Sequence, residues 1–220
     1  MKSSGSRNNM QKLPHHWMNV IVMLLALSAC EQSPQFNTLA PGATVLAFGD
    51  SVTYGVGAKS GEDFPTLLAA KTGWNVINAG VSGDTASEAR HRIGALLAQY
   101  QPQLVIVELG GNDFLRRRPA SKVKRDLRQI IDVSLASGAT TVLISVPELS
   151  VLRATMGALA DAPMYEELAE ETGVVLVSEL FSEVLSDDDL KADEIHPNSR
   201  GYEVFTAGLI ARLTAVGLLH

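Results

Sequence analysis

The chain has one cysteine, Cys30, in 220 residues. No intramolecular disulfide can therefore form. Aromatic residues make up 5%, and 18 Lys and Arg face 24 Asp and Glu. That mild acidity argues against a nucleic-acid binder, which would usually be basic, and it names no partner. With 46% hydrophobic residues and mixed charges, the composition also excludes an intrinsically disordered chain. No G-x-S-x-G elbow occurs, so Ser82 in "GVSG", residues 80–83, is not taken as a nucleophile. Histidine is scarce as well. The acidic run Asp187-Asp188-Asp189 has no histidine or cysteine beside it, reads as a solvated turn, and calls for no metal or cofactor.

The N-terminus differs in kind from the rest. Residues 1–16 carry Lys2, Arg7 and Lys12 without an acid, and "WMNVIVMLLALSAC", Trp17 to Cys30, has no charge at all. That run is too short for a permanent transmembrane helix. It has the layout of a secretory signal peptide, with a basic start, a short apolar core and small residues at the cleavage point. Leu27-Ser28-Ala29-Cys30 resembles a bacterial lipobox, which implies cleavage after residue 29 and lipidation of Cys30. The alternative is an ordinary signal or anchor with an incidental cysteine. Glu31, rather than an aspartate, resembles outer-membrane sorting in Gram-negative lipoproteins. Removing residues 1–29 takes away three basic residues and changes the formal charge from −6 to −9. Residues 30–42 read as the lipidated cysteine and a polar tether, Glu31 to Gly42, which reaches at most about 40 Å at roughly 3.3–3.6 Å per residue.

From Ala43 to His220 strand and helix signals alternate. Strands are predicted at 45–48, 74–78, 104–109, 140–146 and 174–178. Helices are predicted after Asp63 up to Gly73, from Thr85 to about Tyr100, and over 121–137, 164–173 and 199–216. Thr85-x-x-Glu88 fits a capping box. Strands separated by helices imply parallel crossovers and a three-layer α/β/α sandwich around a mostly parallel five-stranded sheet. Ligands bind such sheets at the C-terminal ends of the strands. There the sequence places "GDS" at 49–51, "NAGVSGDT" at 78–85 and "GGND" at 110–113.

A serine hydroxyl needs a base to become a nucleophile. His91 sits between Arg90 and Arg92 in a predicted helix, and His220 is the last residue. His196, in "ADEIHPN", is the candidate base for Ser51. Asp193, three residues earlier, can accept from Nδ1 and leave Nε2 facing the serine. Glu194 competes for the same role. Acyl transfer also needs donors aimed at a developing oxyanion. The Ser51 N–H, the Gly83 N–H and the Asn112 amide are candidates, although Asn112 could equally be a turn residue. Arg116-Arg117-Arg118 is either a solvated loop or a basic lip that draws anionic head groups or acyl-CoA phosphates.

"FGDSVTYG", "NAGVSGDT", "VELGGND" and "DEIHPN" occur in this order over residues 48–198. Together they resemble the four blocks of the SGNH subgroup of GDSL hydrolases, of the thioesterase I, lysophospholipase L1 and arylesterase type. Val52 stands where the family often has leucine. The resemblance implies a flavodoxin-like SGNH fold, Ser51 as nucleophile, His196 as base oriented by Asp193, and Ser51, Gly83 and Asn112 as oxyanion donors. It further implies a cofactor-free serine esterase acting on short-to-medium acyl esters or thioesters. The expected setting is a monomer, anchored to an envelope membrane through Cys30. An envelope carbohydrate O-deacetylase and an inactive binding lipoprotein are the alternatives.

Overall fold

The computed structural model describes residues 36–148 and 159–220. Five strands form one sheet in the order β2-β1-β3-β4-β5, and every neighbouring pair is parallel. They are β1 Thr44–Gly49, β2 Asn75–Gly80, β3 Leu104–Glu108, β4 Thr140–Ile144 and β5 Val175–Val177. This is the predicted architecture, in the strand order of flavodoxin-like sheets. β3 is buried along its whole length, as expected where crossover helices cover both faces. The edge strand β2 is only partly covered.

The helices among the described residues are α1 Ser51–Tyr54, α2 Phe64–Thr72, α3 Ala86–Ala89, α4 Ile93–Tyr100, α5 Gly111–Leu115, α6 Ala120–Ala136, α7 Met164–Thr172, α8 Leu180–Ser186 and α9 Ser199–Ala215. α2 starts and stops where its caps predict: the Asp63 carboxylate accepts from the Thr66 N–H at 3.0 Å, and Gly73 ends the helix in the left-handed conformation. The predicted helix from Thr85 to Tyr100 is two helices. The capping box forms, with Glu88 Oε2 accepting from the Thr85 N–H at 2.8 Å. The chain then breaks at residues 90–92 and restarts as α4. The break brings the Arg92 side chain to the ends of β1 and β2. α8 was not foreseen: it begins at Glu179, whose φ is +65°, without a side-chain cap. Its buried Phe181 meets Phe205 of α9 edge-on, 6.0 Å between ring centres.

The signal and lipidation residues 1–30 lie outside the described residues. The segment read as a tether is fastened from Phe36 onward. Leu39 is buried, its N–H donates to the Leu218 carbonyl at 3.0 Å, and Thr38 Oγ1 donates to the Gly217 carbonyl at 2.8 Å. The two apolar side chains, Phe36 and Leu39, pack against the core and account for this docking of a stretch that is polar on average.

β3 ends in a buried acid. Glu108 is 1% exposed, and its Oε2 accepts from Thr53 Oγ1 at 3.0 Å. Burial, reinforced by the nearby charge of Asp50, pushes its carboxyl well above the ordinary 4.5. Above that pH the native chain therefore holds a proton that the unfolded chain has lost, so stability falls as pH rises. Glu108→Gln has no such ionisation. Its stability relative to the wild type should increase as pH rises above the ordinary carboxylate range, measured by urea melts of both proteins. Parallel stability curves would show that Glu108 is ionised in the native state.

Candidate active site

Ser51 follows directly from β1. The Asp50 side chain caps α1, with Oδ1 accepting from the Val52 N–H at 3.1 Å. Ser51 is thus the first helical residue at the rim where β1 ends. In this strand order the rim between β1 and β3 is the topological switch point, where open α/β sheets bind ligands.

His196 comes from the loop before α9. A bridge between Lys191 and Pro197 closes that loop. Asn198 caps α9 and also donates through Nδ2 to the Asp189 carbonyl at 2.8 Å. His196 Nε2 lies 3.0 Å from Ser51 Oγ. Its Nδ1 lies 2.9 Å from Asp193 Oδ2. The carboxylate can only accept, so Nδ1 carries the hydrogen of the neutral ring and Nε2 accepts from the serine. Asp193 Oδ1 also takes the backbone N–H groups of Ile195 and His196, each at 2.9 Å. Burial works to raise the Asp193 carboxyl, but the hydrogen bonds from the His196 ring and the Ile195 N–H outweigh it, leaving it below the usual carboxylate range. Glu194 turns the other way, 3.8 Å from Lys191 Nζ and largely exposed. His91 and His220 are exposed and take no part in these bonds.

The candidate oxyanion donors sit on the adjoining loops. Gly83 has φ +88° with open space where a Cβ would be. Asn112, in α5, lines the same cleft as Ser51 and His196. Its Nδ2 donates to Asp50 Oδ2 and to the Asp84 carbonyl, both at 3.1 Å. Both partners are acceptors, which orients the amide nitrogen toward the nucleophile turn. An incoming oxyanion would compete for one of these two hydrogens.

Charged groups tie the loops together. Asp113 is fully buried; its Oδ2 accepts from the Ala86 N–H at 2.8 Å, and its other oxygen pairs with Arg118. Arg118 also reaches Asp126 at 2.6 Å. Arg116 donates to the Gly83 carbonyl at 2.9 Å and lies 3.3 Å from Glu88. The arginine run is therefore neither simply a solvated loop nor simply a basic lip, because two of its three members brace the loops. Sequence reasoning missed Asp50, Arg92, Glu108 and Asp113. A charge beside a buried strand end was the available signal, since such a group must find a partner or stay neutral.

The cleft is small, with a volume of about 20 Å³, little more than one water occupies. Asp50 and Glu108 line it beside Ser51, and Leu115, Val146, Phe181 and Ile195 supply apolar surface. Asp50 is 2% exposed. Burial pushes its carboxyl to about 6, against the opposing hydrogen bonds from the Val52 N–H and Asn112. Chemically, the arrangement offers a hydroxyl, a base held by a carboxylate, and donors on three loops, which are the parts needed for acyl transfer.

Residues 47–204 match the GDSL-like lipase/acylhydrolase family. The chain is 36% identical over 177 residues to thioesterase 1/protease 1/lysophospholipase L1 of Escherichia coli strain K12, covering 77% of this chain and 82% of that one. It is 29% identical over 186 residues to an arylesterase of Vibrio mimicus, covering 80% and 87%. The fold superposes on the crystal structure of the psychrotrophic esterase EstA from Pseudoalteromonas sp. with a TM-score of 0.67 and 28% identity, over 78% of this chain and 97% of that one. With the parallel sheet and the Ser51–His196–Asp193 line already in place, the match over most of the chain means that this protein belongs to the GDSL-like lipase/acylhydrolase family and is an ester-hydrolysing enzyme.

Proposed function

We propose that the enzyme is a serine esterase of the bacterial cell envelope that cleaves short-to-medium acyl esters and thioesters through an acyl-enzyme on Ser51. The observation that carries this reading is the continuous line of contacts from Ser51 Oγ to His196 Nε2 at 3.0 Å and from His196 Nδ1 to Asp193 at 2.9 Å. Ser51 Oγ attacks the acyl carbon while Nε2 takes its proton. The oxyanion forms facing the N–H groups of Ser51 and Gly83 and the Asn112 amide. Collapse breaks the bond to the leaving oxygen or sulfur, which takes the proton from His196. Water then repeats the sequence on the acyl-serine and frees the acid. The names of the relatives, thioesterase, lysophospholipase and arylesterase, support the substrate class. A cleft of about 20 Å³ encloses little of an acyl chain, and Leu115 and Ile195 offer apolar surface at its wall. The same smallness suits an acetyl group, so an envelope carbohydrate O-deacetylase is the second reading. A ladder of p-nitrophenyl esters beside a panel of acetylated sugars separates the two.

The envelope location rests on residues 1–30, with the signal layout and the single cysteine at the lipobox position. No helix among the described residues is long and apolar enough to cross a membrane; the anchor in this reading is a lipid on Cys30. The enzyme would then act as a monomer on the periplasmic side, with the outer membrane favoured by Glu31. Cys30→Ala should move the protein from the membrane fraction to the soluble one. If the variant still sediments after a high-salt wash, an uncleaved apolar segment is the anchor instead.

Ser51→Ala should remove both turnover and labelling by a fluorophosphonate probe without unfolding the chain. Asp193→Asn presents an amide N–H toward Nδ1 and favours the wrong imidazole tautomer; the same change in a serine-protease triad lowers kcat about 10⁴-fold. Glu194→Gln should leave kcat near the wild type, because Glu194 faces Lys191. If Glu194→Gln proved the crippled variant, the orienting carboxylate would be misassigned.

Asn112→Ala should lower kcat far more than it raises KM. Loss of one oxyanion donor typically reduces the rate by about 10²–10³. A change confined to KM would make Asn112 a substrate-binding or turn residue.

A further inference from the structure

Arg92 ties the ends of β1 and β2 to the loop that follows β2, and nothing in the acyl-transfer sequence above uses it. Its Nη2 donates to the Gly49 carbonyl at 2.8 Å, at the end of β1. Its Nη1 donates to the Ala79 carbonyl at 2.7 Å, near the end of β2. Its Nε donates to Asp84 Oδ2 at 2.8 Å, and its guanidinium carbon lies 4.2 Å from the centre of the Phe48 ring. Two of the three tethered groups lie within two residues of a proposed oxyanion donor. Gly49 precedes the Asp50-Ser51 turn. Asp84 follows Gly83, and the Asp84 carbonyl also receives the Asn112 amide at 3.1 Å.

We propose that Arg92 is a positioning residue for the oxyanion hole, holding the ends of β1 and β2 and the Gly83-Asp84 loop in the arrangement that brings the Ser51, Gly83 and Asn112 donors together. The inference rests on the acyl-enzyme reading of the site. Three acceptors in three directions, with an aromatic face beneath, match the planar fork of a guanidinium. A lysine ammonium has neither that fork nor that stacking surface. The break at residues 90–92 serves the same end: α3 stops after one turn, and the chain restarts as α4 with Arg92 at its N-cap, the side chain reaching the sheet. Arg92 touches neither His196 nor Asp193, so its loss should impair stabilisation of the oxyanion and leave the base intact.

The test compares Arg92→Ala, Arg92→Lys and Asp84→Asn in the full chain on a p-nitrophenyl acyl ester, at a temperature well below each variant's Tm. Arg92→Ala should lose about 10²-fold in kcat, the size of effect that roughly 1 Å of misplacement produces, with KM within about threefold of the wild type. Arg92→Lys should fall between the two. Asp84→Asn keeps the backbone carbonyl that holds Asn112, loosens Arg92, and should lower kcat non-additively with Arg92→Lys. The acid limb of the pH–rate profile should not move in any variant, and millimolar methylguanidine should restore part of the kcat of Arg92→Ala. Should Arg92→Ala not fold, the Arg92→Lys and Asp84→Asn cycle carries the same test. Folded variants with wild-type kcat, a loss confined to KM, a displaced acid limb, or a loss that only follows the unfolded fraction would each overturn the positioning role. Ser51→Ala serves as the control. If it remains active, the acyl-enzyme reading fails; if it is dead while the Arg92 and Asp84 variants are normal, only this inference fails.

Discussion

The end of β1 lies so close to its neighbours that no side chain fits there. A Cβ on Gly49 would sit 1.9 Å from Thr53 Oγ1 and 2.5 Å from the Glu108 carbonyl oxygen. Because Gly49 leaves that space empty, α1 folds back at once over the sheet end, and Ser51 stands at the rim. The same closeness lets Thr53 donate to Glu108 and puts the Gly49 carbonyl within reach of both Arg92 and the Val81 N–H. The parallel register sets Gly49 beside Gly80 of β2 and Glu108 of β3. Ser51, the Gly83 loop and the Asn112 loop therefore start from one level of the sheet. A side chain at residue 49 would displace Thr53 first and the nucleophile turn with it.

That crowded rim holds an unusual load of buried acid. Asp50, Glu108 and Asp113 are each no more than 2% exposed, and burial raises the carboxyls of all three. Each is compensated differently. Asp113 has Arg118 and the Ala86 N–H, Asp50 has the Val52 N–H and the Asn112 amide, and Glu108 has the Thr53 hydroxyl. A buried carboxylate without partners would be costly, and each of the three has at least one. The apolar runs of β1, β3 and β4 beneath the rim supply the burial that makes such a concentration of polar groups tolerable.

The parts legible in the sequence are those set by neighbours along the chain. Continuous apolar runs mark buried parallel strands, and a capping aspartate and a terminal glycine bound α2 to the residue. Asp193 and His196 pair because three residues separate them in a loop closed by its own backbone bonds. The helix at 85–100 was misread because its start signal is local while its interruption is not: Arg92 leaves the helix for acceptors 13 and 43 residues away along the chain. α8 lacked a start signal altogether, and its apolar face is explained by α9 rather than by its own ends.

By itself the sequence determined the alternation of strand and helix, the chemical groups available at the strand ends, and the order of four motifs that marks a family. Those follow from short-range periodicity, capping and spacing. Tertiary structure alone decided which of those groups meet. It brings His196 to Ser51 across 145 residues, turns Glu194 to Lys191 and leaves Asp193 to the histidine, spends Arg116 and Arg118 on bracing, and buries Glu108 against Thr53. Each of these outcomes depends on where a side chain ends in space relative to partners distant in the chain, and hence on the packing of the whole sheet.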